Sequence, residues 1–208
     1  EYDLRLLPAE QVESIEIMKG ASSTLYGTGA ATGVINIRLK KSGKKAIQAN
    51  GYWNLGTYNT ASTSKSYPQD YNQGFSVNGN VKKFNYFASL NSTATTGMSQ
   101  IAEPNDNVTY EADRFSRINY LGKIGYKATD KLSLDFFGNY DKIDNDYDGG
   151  FDNTGTNDVV QNHSKSEQFR VGFLPKYKYE NGEFVLNSSL NKILRSYDEF
   201  DSYSNTVG

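Results

Sequence analysis

Hydrophobic and polar positions alternate along most of this chain, and the alternation changes character at about Ala46. Beyond that point the runs are long, the period-2 signature of strands whose two faces meet different surroundings. They cover 47–58, 72–81, 84–95, 116–128, 132–141, 167–179 and 183–197. In the fourth, Ile118, Tyr120, Gly122, Ile124 and Tyr126 oppose Arg117, Asn119, Lys123 and Lys127. Before Ala46 the alternation is brief, at 13–19 and 33–40, with a stretch rich in glycine and small residues between. Pro8 at a first helical position predicts one helical turn over 8–12, and 21–26 predicts another. The glycines and threonines of 27–33 predict loop.

Run length separates two kinds of alternating sheet. Soluble strands average about five or six residues. These runs suit the roughly 9–11 residues that a tilted strand needs to cross a bilayer. The connections agree. Tight turns fall at Lys82-Lys83, at Thr129-Asp130-Lys131 and at Asn181-Gly182, a hairpin dipeptide. The connections 59–71, 96–115 and 142–166, and the tail from Asp198, are long. Short periplasmic turns alternating with long extracellular loops are the outer-membrane barrel pattern. Phe84, Tyr86, Phe87, Tyr126, Tyr177, Tyr179 and Phe184 gather by the tight turns and predict an interfacial girdle. Pro175 cannot donate to a ladder, so a bulge or register shift is expected there. An odd set of seven strands does not close a bacterial barrel. With its mid-domain opening Glu1-Tyr2-Asp3-Leu4, the chain reads as a fragment of something longer.

Composition narrows the functions. Mean hydropathy is -0.67, and no run approaches the roughly 18 apolar residues of a spanning helix. That excludes a helical membrane protein but not a barrel, whose lumenal positions are polar. A net charge of -2 gives no basic excess for nucleic acid. The absence of cysteine removes disulfides, thiolate metal sites and a thiol nucleophile. His163 is the sole histidine, and Ser22 and Ser23 have no base nearby in sequence, so no enzyme is expected. Gly27-x-Gly29-x-x-x-Gly33 leads into a strand rather than a helix, which rules out a dinucleotide cradle. Asp144-x-Asp146-x-Asp148-Gly149 opens like a calcium loop, with Asp152, Asn153 and Asp158 as further oxygen donors. Gly155 stands where the twelfth-position glutamate belongs, and an acidic, solvated loop is the plainer reading. Tyr58, Tyr67, Tyr71, Tyr110 and Tyr147 lie in or beside long loops, as ligand contacts or as ordinary girdle and loop residues. The basic stretch 38–45 reads as a solvated hinge.

Pro8, the run Val12-Glu13-Ser14-Ile15-Glu16-Ile17-Met18-Lys19-Gly20-Ala21-Ser22-Ser23, Leu25-Tyr26-Gly27 and Gly33-Val34-Ile35-Asn36-Ile37 together resemble the C-terminal part of the plug of TonB-dependent outer-membrane receptors. Asn36-Ile37, and Gly20 where the glycan-importing SusC-like branch usually has Asp, look more like the siderophore and vitamin receptors. The style of the sequence suggests a Bacteroidetes-type bacterium. The resemblance implies a mainly β chain: the end of an α+β plug over 1–41, a linker over 42–46, and over 47–208 about seven antiparallel strands of an incomplete, roughly 22-stranded transmembrane barrel. It implies TonB-dependent import of a scarce nutrient, chiefly an iron-siderophore complex. The alternatives are a SusC-like glycan or peptide importer with a surface lipoprotein, and a non-transport β-rich surface binding module. The implied partners are the TonB-ExbB-ExbD complex, outer-membrane lipid and the transported ligand. No resident cofactor is implied, iron arriving only as substrate. Lys19 matches a basic plug position that pairs with barrel carboxylates, a plug-barrel lock that Glu16 would join; a solvated strand-end lysine is the other reading. Gly20, Gly27 and Gly33 are the motif glycines.

Overall fold

The computed structural model describes residues 7, 11–20, 33–40, 43, 45–57, 67–97, 112–148, 151–152, 155–156, 162–201 and 206–207. Strands β1 (Val12–Lys19) and β2 (Gly33–Leu39) pair antiparallel as a separate two-stranded sheet. A second sheet forms a wall in chain order from β3 (Gln48–Gly56) through β4 (Asp70–Val81), β5 (Phe84–Thr95), β6 (Phe115–Lys127) and β7 (Leu132–Asp146). Two-residue strands β8 (Phe151–Asp152) and β9 (Gly155–Thr156) pair with each other. Strand β10 (His163–Tyr179) then returns to β7, and β11 (Gly182–Val185) and β12 (Ser188–Asp198) both pair with β10. A last pair joins β13 (Phe200–Asp201) and β14 (Thr206–Val207). Among the described residues there is no α-helix, so none is long and apolar enough to cross a membrane. Of the two expected helices, 21–26 lies outside the described residues. So do residues 8–10 of the other, while Val12 already belongs to β1.

The strands stand where the alternation predicts them. Strand β5 matches at both ends, whereas β7 and β10 run further. Beyond Asp141 the apolar positions give way to Lys142, Asp144 and Asp146, so the pattern fades while the pairing continues to His163↔Asp146. Burial is inverted relative to a soluble sheet. Trp53, Phe75, Leu90, Ile124, Phe136, Phe169 and Leu190 are exposed, Leu190 by 77%. Asn78, Asn91, Asn119, Asn139, Asp141 and Gln168 are buried, the last two to 1%. A wall whose apolar face is bare and whose polar face is covered fits lipid outside and a packed lumen within. On the bare face Phe84 stacks on Tyr126 at 4.7 Å and Phe136 on Phe173 at 4.5 Å.

Three local expectations need correction. Pro175 makes no bulge and no register shift. It sits opposite Leu134 in the unbroken β7–β10 register. On its other side the Leu186 amide donates to the Pro175 carbonyl at 3.1 Å. The return bond needs an N–H that proline lacks. The last strand is therefore interrupted at Leu186 and Asn187 into β11 and β12 without losing step. The final tight turn is Glu180-Asn181 rather than Asn181-Gly182, because Gly182 already pairs with Tyr179. A turn one residue later would pair Phe184 with Tyr179 instead of Tyr177, on the same face of the strand. Phe87 is 4% exposed and pairs with Asn78, so it faces the lumen, not the girdle. Its neighbours Phe84 and Tyr86 already occupy the outward positions.

Candidate functional site

The covered face of the wall is where the two sheets meet. Gln11, just before β1, is 3% exposed, and its Nε2 donates to Ser89 Oγ at 3.0 Å and to Asn91 Oδ1 at 3.5 Å. Asn91 in turn donates to Tyr52 Oη at 3.1 Å. From the wall, Lys123 Nζ donates to the Lys40 carbonyl at 3.2 Å and lies 5.9 Å from the Phe87 ring centre. The Gly43 amide donates to Asn78 Oδ1 at 2.7 Å. A side chain at Gly43 would run into the amide ends of Gln48 and Asn78, so the connection passes tightly against β3 and β4. A cavity of about 160 Å³, bordered by Lys40, Asn50, Tyr52, Phe87, Ser89 and Asn91, remains beneath it. The expected solvated hinge is thus held to the wall at both Lys40 and Gly43.

Deeper along the same face lies a polar network. Asn119 Nδ2 donates to Asp141 Oδ1 at 2.7 Å, and Asn139 Nδ2 donates to Asp141 Oδ2. Arg170 Nε donates to Asn139 Oδ1 at 3.1 Å, its guanidinium 5.3 Å from the Phe137 ring centre. Gln168 Nε2 donates to Asn191 Oδ1 at 2.9 Å. Each of these side chains occupies a polar position of its alternating run, yet nothing in any one run marks it as a member of a network.

Lys19 ends β1 opposite Gly33, exposed, and among the described residues it has no carboxylate partner. Glu16 meets its own hairpin: Arg38 Nη2 reaches Glu16 Oε1 at 3.1 Å, and Asn36 Nδ2 donates to Oε2 at 3.1 Å. Gly20 has φ +101°, open to glycine and strained for other residues. At Gly33 a Cβ would stand 2.7 Å from the Met18 carbonyl, so the hairpin closes only with glycine there. Gly27, Ser22 and Ser23 lie outside the described residues.

At the long-loop end, His163 joins two carboxylates of the expected calcium loop. Its Nδ1 lies 2.9 Å from Asp146 and its Nε2 3.3 Å from Asp144. Arg114 Nε pairs with Asp146 at 2.8 Å, and Lys142 with Asp144 at 3.5 Å. Burial pushes the Asp146 carboxyl up, but hydrogen bonds and charge from His163 and Arg114 outweigh it and hold it below its ordinary value. Asp148 has one buried oxygen without a partner among the described residues. No group of three or more His, Cys, Asp or Glu side chains gathers as a metal site among the described residues. Tyr147 donates to Glu199 at 2.9 Å; burial, then that bond, push its hydroxyl up to about 12. Tyr71 donates to the Pro68 carbonyl at 3.0 Å, and Tyr67 is exposed. Tyr58 and Tyr110 lie outside the described residues.

An inside-out antiparallel wall with a hairpin docked on its polar face is the arrangement of part of a barrel with part of a plug inside it. Residues 1–34 match the family described as TonB-dependent Receptor Plug Domain. Beyond that match, the strand order from hairpin into wall is similar to a stretch of such a receptor that runs from the plug into the barrel. It is 26% identical over 204 residues to the ferric enterobactin receptor of Pseudomonas aeruginosa, covering 90% of this chain and 26% of that one. It is 26% identical over 142 residues to a probable TonB-dependent siderophore receptor, PirA, of Acinetobacter baumannii, covering 64% of this chain and 17% of the relative. The chain therefore spans about a quarter or less of the curated relatives it matches. The crystal structure of the siderophore receptor PirA from Acinetobacter baumannii superposes with a TM-score of 0.71 at 20% identity, over 100% of this chain and 31% of that one.

Proposed function

We propose that this chain forms the plug end and first wall strands of an outer-membrane receptor of a Gram-negative bacterium that imports an iron-siderophore complex at the expense of TonB. The observation that carries the reading is the docking of the hairpin on the lumenal face, through Gln11 on Ser89 and Lys123 on Lys40. A plug so attached closes the pore and must rearrange before cargo passes. The two named relatives are siderophore receptors, which supports the same cargo class. In this arrangement the long loops and the upper plug bind cargo outside. TonB, with ExbB and ExbD, pulls on the plug from the periplasm, and the hydrogen bonds at Gln11, Lys40 and Gly43 are among those that yield or hold. The side chains near this interface bind, position and seal.

The test is growth of a strain lacking the full-length receptor on single ferric siderophores as the iron source. Restoration by the receptor with one siderophore class, lost when TonB is deleted, is the expected result. Restoration that persists without TonB, or that occurs only on a glycan, overturns the proposal.

A further inference from the structure

The tight-turn end of the wall carries an arc of lysines that import does not use. Lys45, Lys82, Lys83, Lys127, Lys131 and Lys178 are all exposed. Their segments touch in sequence around the rim: the Asn80 amide donates to the Lys45 carbonyl at 2.9 Å, Lys127 to Lys83 at 2.8 Å, and Lys178 to Lys131 at 2.8 Å. Lys83 Nζ also reaches across to the Ala128 carbonyl at 3.2 Å. Only Asp130 and Glu180 oppose them in the same turns, and no ion pair joins either to these lysines among the described residues.

Two further observations say what the arc meets. Each of its three turns borders a girdle aromatic. Phe84 follows Lys83, Tyr126 precedes Lys127, and Tyr177 and Tyr179 flank Lys178. Phe84, Tyr177 and Tyr179 are about half exposed on or beside the bare face. Such rings settle at the headgroup level of a bilayer, and one residue along a strand is about 3.3 Å. The ammonium groups therefore stand at the depth of lipid phosphates. Lys82, moreover, holds φ +54° in a two-residue turn where glycine or asparagine is the easy choice. A long cationic side chain is kept at a position that disfavours it.

We propose that this rim binds the anionic headgroups of glycerophospholipids in the periplasmic leaflet. The lysines point-charge the phosphates while the aromatic rings seat beside the glycerol backbone. The inference rests on the import reading only for which end faces the periplasm.

The experiment uses the purified full-length receptor, delipidated in neutral detergent, with phosphatidylglycerol and phosphatidylcholine of equal chain length supplied together and retained lipid read by native mass spectrometry. The receptor should retain phosphatidylglycerol several-fold over phosphatidylcholine. Replacing Lys45, Lys82, Lys83 and Lys131 together by Gln should abolish the preference. Replacing Lys142 and Lys165, at the other end, should leave it intact. Folding is checked by heat-modifiable migration. Should the fourfold variant not fold, Lys82→Gly, which relieves the backbone while removing one charge, is expected to fold and reduce the preference. Equal retention by receptor and variants overturns the proposal, as does a variant that keeps its lipid preference but loses co-sedimentation with peptidoglycan. Reaction of the Lys131→Cys variant with an impermeant maleimide on intact cells would instead overturn the assigned orientation, and with it the import reading.

Discussion

The two faces of the wall are built from the same strands and obey opposite rules. On one, Trp53, Phe75, Leu90 and Leu190 stand bare. On the other, Asn119, Asp141 and Gln168 are enclosed and bound to one another or to neighbouring amides. A soluble sheet buries what this one exposes. The difference teaches that burial here is not a proxy for hydrophobicity: the outer residues lack protein contacts, as residues solvated by lipid do, and the inner ones must satisfy each other.

The comparison breaks most easily from outside. Leu90→Arg sets a charge among the outward residues between the two rims and should cost about 3 kcal/mol. Urea titration of refolding into phospholipid vesicles would measure it; a loss below about 1 kcal/mol would mean that this face does not meet lipid. Inside, Asp141→Asn turns one acceptor of the network into a donor facing another amide donor. The same titration should show a loss of about 2 kcal/mol. A neutral result would mean that water already serves those amides.

At the loop end both faces are wet and effects should shrink. Asp146 titrates below its ordinary value of 3.8, so its contribution is complete above that value and disappears as pH falls through the lower, folded one. Arg114→Ala raises the folded value, so the contribution is smaller and its loss is confined nearer to 3.8. The change at neutral pH should stay below about 1 kcal/mol, as for exposed pairs. The pH dependence of the urea midpoint on the acid side of 3.8 reads it. Smallest is Lys82→Gly, where relief of a left-handed lysine should gain about 0.5 kcal/mol. No gain would mean that the lysine's own contacts compensate.

The wall was legible because its code is local. Two-residue periodicity located the strands of the wall; at Phe87 its aromatic neighbours misled, because the alternation sets it on the covered face with Asn78. Turn chemistry misled at Asn181-Gly182, where the pairing of Gly182 with Tyr179 sets the two-residue turn one position earlier, at Glu180-Asn181. Proline misled at Pro175 because the lost bond lies on the side of β11 and β12, leaving the β7 ladder whole. The docking of the hairpin was not legible at all. Gln11 meets Ser89 and Lys40 meets Lys123 across some eighty residues of chain. Such a meeting depends on how the wall curves, and no local pattern carries that. The Asp141 network was hidden for the same reason: its members come from three strands and become partners only in register.

The connection between hairpin and wall has a mechanical meaning. Eight residues separate Leu39 from Gln48. Fully drawn out they reach about 28 Å at most. Gly43, midway, is hydrogen-bonded to β4, which roughly halves the free leash until that bond breaks. A pull on the hairpin therefore meets successive stops, at Lys123 on Lys40, at Asn78 on Gly43 and at Asn80 on Lys45, before the last one at the first residue of β3. The hairpin's travel has an upper limit written in chain length, and any path opened for cargo must fit within it.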